Sequence, residues 1–181
     1  MSENKASTIA ESGIRWLWIS LAVIALDQVT KLWVVSNMAM YESINVLPVF
    51  DIYRTFNLGA AWSMFADAGG VQRWVFSGLA IVVSIGIVYW LRILKPASQL
   101  LLVIGLALIL GGAIGNVIDR LYLGHVIDFL LVYWGDSKFP AFNIADSAIS
   151  IGAGLVILDS IRESRRERQA ARAAQVEQAR K

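Results

Sequence analysis

Few side chains in this sequence are equipped for chemistry. Its 181 residues include no cysteine and one histidine, His125. Thiol nucleophiles, disulfides, iron–sulfur clusters and thiolate zinc sites are therefore excluded, and a Ser–His–Asp triad or a multi-histidine metal centre would have to be built around His125. Carboxylate chemistry remains. Asp128 stands alone among apolar neighbours in Val126-Ile-Asp-Phe-Leu130. Asp146 lies in Phe142-Asn-Ile-Ala-Asp-Ser147, with Asn143 three residues ahead and hence on nearly the same face of a helix. An acid at a helix N-terminus also suits the helix dipole with no further role. Two carboxylates a few ångströms apart cannot easily both ionise, so one keeps a proton at neutral pH. The ionised partner can then take a proton from water while the protonated one polarises a carbonyl, which is the logic of an aspartic peptidase. Glycoside hydrolysis also uses two carboxylates. A metal held by Asp128, Asp146 and His125 is the weaker reading, because no ligand spacing requires it.

Other polar residues sit where they are costly. Asp27 and Lys31 fall at i and i+4 within an apolar stretch, on one helix face where they can pair. They read as a supporting ion pair or as the wall of a polar pocket. Asn116, Asp119 and Arg120 follow the small-residue run Gly111-Gly-Ala-Ile-Gly115, which permits close helix packing. Asp119 beside Arg120 is either a charge-compensated helix end or a ligand contact.

The elements that must position these residues are membrane helices. Residues of the aliphatic and aromatic set make up 57% of the chain and charged residues 17%, with a mean hydropathy of +0.59. Soluble chains average about 45–50% and about 25%. Apolar stretches cover about 16–35, 74–94, 100–118 and 142–161. Each is near the ~20 residues that cross a hydrocarbon core. The composition predicts an all-α integral membrane protein with four transmembrane helices. An outer loop spans 36–73, where Ile44–Phe56 is rich in β-branched and aromatic residues and Pro48 breaks the run, as in strands. Eleven of the 16 Lys and Arg fall on the side of the N-terminus, four on the other, and Lys31 within a span. The positive-inside rule then places both termini in the cytoplasm, with Asp128 and Asp146 at one level near the outer interface. Residues 162–181 form a basic cytoplasmic tail with helical charge spacing, beyond a single membrane domain over 1–161. The small net charge of +2 gives no sign of a nucleic-acid partner. Asp27, Lys31 and Asp119 leave open a proton- or ion-coupled transporter, although transporter sites gather near the midplane, and a lipid-binding or assembly subunit whose polar cluster contacts headgroups is the non-enzymatic alternative.

Five ordered blocks add a resemblance: Asp27-Gln-Val-Thr-Lys31, Asn57-Leu-Gly-Ala-Ala-Trp-Ser63, Gly112-Ala-Ile-Gly-Asn-Val-Ile-Asp-Arg120, Val126-Ile-Asp-Phe129 and Phe142-Asn-Ile-Ala-Asp-Ser147. In this order on a four-span map, they make the chain resemble the bacterial lipoprotein signal peptidases (signal peptidase II) from about Trp16 to Asp159. The resemblance implies a metal-independent, cofactor-free aspartic peptidase of the bacterial inner membrane, with a small extracytoplasmic β-cradle over its site. It implies diacylglyceryl prolipoproteins as substrates, cut just before the lipidated cysteine, contact with membrane lipids, and inhibition by globomycin-type cyclic peptides. It maps the catalytic pair onto Asp128 and Asp146. Pocket-lining and supporting roles map onto Asp27, Lys31, Asn57, Gly59, Asn116, Asp119, Arg120 and Asn143.

Overall fold

The computed structural model describes residues 12–58, 70–96 and 98–180. A 3-10 turn at Gly13–Trp16 leads into α1 (Leu17–Asn37). Then come β1 (Ser43–Leu47), β2 (Phe50–Asn57), α2 (Val71–Ile93), α3 (Leu100–Leu123), β3 (Val126–Trp134), β4 (Ser137–Lys138) and α4 (Ile144–Ala179). All four helices are long and apolar enough to cross a membrane. Their ends follow local chemistry. α2 stops before Lys95-Pro96, where proline disfavours helix in the residue ahead of it. α3 closes on Gly124 at φ +82°, a left-handed cap that turns the chain directly into β3.

The bundle is arranged around α3, which touches α1, α2 and α4 and is buried along most of its length. The other helices direct large apolar side chains outward: Trp18, Leu21, Leu26, Val29, Leu32 and Trp33 on α1, and Val75, Leu79, Val82 and Ile85 on α2. The groups that they bury include Ser20, Asp27 and Lys31 on α1 and Gln72, Ser77 and Ser84 on α2. This inversion suits lipid as solvent, and the chain is a multi-pass membrane protein. Small residues set the spacing. A Cβ on Gly105 would meet the Gly152 carbonyl oxygen at 2.7 Å, and one on Gly111 would meet the Ser20 carbonyl oxygen at 2.8 Å. A Cβ on Gly112 would collide with the Ala145 carbonyl oxygen, so α4 lies hard against α3 where α4 begins.

The strands form one antiparallel sheet in the order β1-β2-β3-β4. The Ile44–Phe56 expectation becomes the β1–β2 hairpin, with Pro48 in its turn. The third strand was not anticipated. The segment after Arg120 carries nine consecutive strand residues from Val126, and these pair with β2 so that Thr55 faces Asp128 and Asn57 faces Val126. Phe142 adds a bridge to Leu130 and draws the start of α4 to the sheet. The fourth span begins at Ile144 rather than 142. Its helix continues past 161 to Ala179, as the helical charge spacing of the tail predicts, about 54 Å in all at 1.5 Å per residue.

Candidate active site

The site is assembled from one buried cation outward. Lys31 points from α1 toward α3 and is 1% exposed. Its ammonium lies 2.8 Å from Asp27 Oδ2 and 2.9 Å from Asp119 Oδ2, and donates to Asn116 Oδ1 at 3.1 Å. An ammonium has three donors, and all three are placed. Asp119 thus forms its ion pair across the helix interface, with Lys31. Its two oxygens also accept from Gln28 Nε2 at 2.9 Å and from the Ile127 backbone N–H at 3.1 Å, which fixes the first residues of β3. Asp27 Oδ1 accepts the Ala145 N–H at 2.9 Å, fixing the first turn of α4.

The orientation of two amides follows. Lys31 can only donate, so it holds Asn116 with its oxygen inward. Asn116 Nδ2 is then turned to Asp146 Oδ1, at 2.8 Å. Asn143 caps α4. Its Oδ1 accepts the Asp146 N–H at 2.9 Å while Asp146 Oδ2 accepts the Asn143 N–H at 3.3 Å, a reciprocal capping box. With its oxygen engaged, Asn143 turns Nδ2 toward Asp128 Oδ1 at 2.8 Å, Asn116 Oδ1 at 3.1 Å and the Ile127 carbonyl at 3.2 Å. Asn57, diagonal to Asp128 on the same face of the sheet, also hydrogen-bonds it. Two hydrogen-bonded amides therefore each support one of two acids delivered by different elements, a strand and a helix.

Asp128 and Asp146 line one cleft of about 560 Å³ together with Asn57, Asn116 and Arg120, against an apolar wall that includes Phe139, Phe142 and Ile149. Burial first, and the Asp146 charge second, push the Asp128 carboxyl up to about 7, against the opposing pull of Asn143, Lys31 and Asn57. Arg120 reaches the cleft with its guanidinium 5.6 Å from the Phe76 ring and Nη1 3.5 Å from the Asn116 carbonyl oxygen. His125 packs against Phe56 at 5.1 Å between ring centroids. Among the described residues no group of three or more His, Cys, Asp or Glu converges as a metal-holding set.

Of the residues singled out in the sequence, Asp27, Lys31, Asn57, Asn116, Asp119, Arg120, Asp128, Asn143 and Asp146 meet in this network or on the cleft it supports. Gly59 lies outside the described residues. Gln28 was missed. Its Nε2 reaches Asp119 Oδ1, Asp27 Oδ2 at 3.2 Å and the Gly115 carbonyl at 3.3 Å, tying α1 to α3. The signal was an amide inside an apolar span, directly beside Asp27.

Residues 19–162 match the family described as Signal peptidase (SPase) II. The chain belongs to the signal peptidase II family. Similar curated proteins are lipoprotein signal peptidases. That of Shewanella pealeana is 52% identical over 150 residues, covering 83% of this chain and 88% of the other. That of Alteromonas mediterranea is 52% identical over 149 residues, covering 82% and 81%. A solved bacterial membrane enzyme, determined by the in meso method at 2.3 Å resolution, superposes with a TM-score of 0.73 at 32% identity, covering 81% of this chain and 87% of its own. The signal peptidase II match takes in every residue of the network and ends where the fully exposed part of α4 begins. It therefore coincides with the part of the chain that packs around the acids.

Proposed function

We propose that this chain is a membrane aspartic endopeptidase that removes signal peptides from diacylglyceryl-modified prolipoproteins. It cuts just before the lipidated cysteine, with Asp128 and Asp146 as the reacting acids. The observation that carries this reading is that the two carboxylates line one cleft and each accepts from one amide of the Asn116–Asn143 pair. Only N–H donors reach these oxygens from the pair, so either acid can carry the charge while the other keeps the proton.

The chemistry then balances with water alone. The ionised acid takes a proton from water as the water oxygen adds to the scissile carbonyl carbon. The protonated acid gives its proton to the carbonyl oxygen. The tetrahedral diol then collapses: one hydroxyl returns its proton to the second acid as the C=O reforms and the C–N bond breaks, and the departing amine of the lipidated cysteine takes the proton that the first acid gained, so both acids regain their starting states. Asp128 at about 7 is matched to sharing a proton near neutrality. Asn57, Asn116, Arg120 and Asn143 orient the acids or the substrate backbone. The apolar wall with Phe139, Phe142 and Ile149 accepts the lipidated end of the substrate, and a cyclic peptide of the globomycin type would compete for the same space. No metal or organic cofactor enters these steps.

The distribution of Lys and Arg supports a bacterial inner-membrane topology with both termini cytoplasmic. The acids then sit toward the outer leaflet beneath the sheet. Residues 1–161 form the peptidase domain and 162–181 a cytoplasmic tail. The reading is tested with purified protein in detergent, offered a diacylglyceryl prolipoprotein and its unmodified precursor. A gel shift of the lipidated form only, absent in Asp128→Asn and Asp146→Asn, is expected. Wild-type turnover in either variant would overturn the assignment.

A further inference from the structure

The exposed end of α4 is a surface that cleavage leaves unused. Every residue from Ile161 to Arg180 is exposed, and the family match stops at residue 162. The aliphatic surface of the helix runs through Ile157, Leu158 and Ile161, after which Val176 is its one exposed large apolar residue. At 100° per residue, Arg165, Arg168 and Arg172 fall within an arc of about 60°. Glu163, Glu167 and Glu177 lie about 120° or more from Arg165. Arg166 is paired with Glu163 at 3.8 Å, whereas no carboxylate among the described residues lies within ion-pair distance of Arg165, Arg168 or Arg172.

We propose that Arg165, Arg168 and Arg172 form a docking stripe for anionic phospholipid headgroups of the leaflet from which α4 emerges. Three observations favour this partner. Guanidinium groups match phosphate oxygens in charge and fork geometry. The stripe starts immediately beyond the lipid-facing aliphatics: Arg165 and Arg168 lie about 6 and about 10 Å past Ile161 along the axis, and Arg172 about 16 Å. That span is comparable to a headgroup layer plus a screening length of about 8–10 Å. Finally, α4 leaves the bilayer with its C-terminus, and helix side chains lean toward the N-terminus, so these arginines reach back toward the membrane. The stripe would hold the tail against its own bilayer, independently of the reaction in the cleft.

The test uses the full chain in nanodiscs of phosphatidylcholine, with and without phosphatidylglycerol, followed by amide hydrogen exchange over residues 162–179. Because the chain has no cysteine, Gln169→Cys also accepts a single environment-sensitive fluorophore beside the stripe. Phosphatidylglycerol is expected to slow exchange of the tail amides at least about tenfold and to blue-shift the fluorophore, with both effects reversed by high salt. The triple variant R165Q/R168Q/R172Q should lose both effects, and the off-stripe control R166Q/R180Q should keep them. Prolipoprotein cleavage in detergent, read in parallel, should be unchanged in the triple variant, so failure of the tail proposal is distinguishable from failure of the peptidase reading. Equal exchange in both discs, protection that survives the triple substitution, or protection that appears only on adding RNA would each overturn the proposal.

Discussion

Replacing Lys31 by methionine keeps much of the side chain's bulk but removes one charge from a place where three acceptors converge. The ammonium sits 2.8 Å from Asp27 and 2.9 Å from Asp119, both essentially inaccessible to solvent, and donates to Asn116. Deleting one member of such a cluster leaves the others buried without compensation, at a cost of about 3–5 kcal/mol. For a chain of this size each kcal/mol moves the melting midpoint by about 2–4 °C, so Lys31→Met should melt about 6–20 °C below wild type. The seven tryptophans supply an intrinsic fluorescence signal for this measurement in detergent. Asn116 would also lose one of the two donors to its oxygen, keeping only Asn143 Nδ2, so its Nδ2 would be held less firmly toward Asp146 and kcat should fall more than KM rises. Adding Asp27→Asn and Asp119→Asn to Lys31→Met should recover much of the lost midpoint, because the stranded charges go with them. A melting midpoint for Lys31→Met within about 2 °C of wild type would refute the reasoning, since it would mean that the cation compensates no buried charge.

The acid on β3 makes stability depend on pH in an unusual direction. Asp128 is raised from 3.8 to about 7, chiefly by burial and then by Asp146, so the folded protein holds a proton there that the unfolded chain has lost. Stability should therefore be fully present below the ordinary carboxylate range and fall as pH rises through about 7. Comparing melting midpoints at about pH 5 and about pH 8 should show this slope in wild type and a flatter one in Asp128→Asn. Activity should likewise decline above about 7, as the proton shared by the pair is lost. Asn143→Ala removes both the cap of α4 and a donor to Asp128, so it should cost about 1 kcal/mol for the cap and lower kcat at least about tenfold in the gel-shift assay. Gly112→Ala should destabilise by about 1–3 kcal/mol and reduce cleavage, because its Cβ enters the first turn of α4 that carries Asp146. Gly154→Ala, whose new Cβ meets no side chain and no other element within 4 Å, should be no less stable than wild type and should cleave equally.

The legible features of this protein are those written in short range. Apolar run length reveals four helices, and i, i+4 or i, i+3 spacing places Asp27 with Lys31 and Asn143 with Asp146. The β1–β2 hairpin is legible from its β-branched residues and the proline in its turn. What pairs across long separations is not legible. Lys31 and Asp119 are 88 positions apart, and in the sequence Asp119 already has a plausible partner in Arg120. The third strand was hidden for a similar reason. Val126-Ile-Asp-Phe-Leu-Leu-Val-Tyr-Trp134 has strand-forming residues, but its apolar character merges with that of the neighbouring spans, and only pairing with β2 defines its register. That register decides the site, since a slip of one residue would turn Asp128 to the opposite face. The tail of α4, by contrast, is legible from its charges rather than from hydropathy: the helical spacing of Glu163, Glu167 and the arginines foretells a helix that runs on to Ala179.

The Asp27–Lys31 pair also has a bearing on biogenesis. Helix α1 reaches the bilayer before α3 has been synthesised, so Asp119 and Asn116 are not yet present to receive Lys31. A lone lysine opposes insertion, by about 2.5–3.5 kcal/mol at a helix centre and by less at the position of Lys31, one turn beyond the centre of α1. Asp27, one turn earlier on the same helix, gives the nascent segment an internal counter-ion, and α1 can enter as a neutral unit. When α3 arrives, the ammonium need not change place. It gains Asp119 at 2.9 Å while keeping Asp27 at 2.8 Å. The same side chain thus serves first as half of a travelling pair and later as the junction between two helices. Insertion of α1 alone, scored by glycosylation mapping, should therefore depend on Asp27 more than on any neighbouring residue.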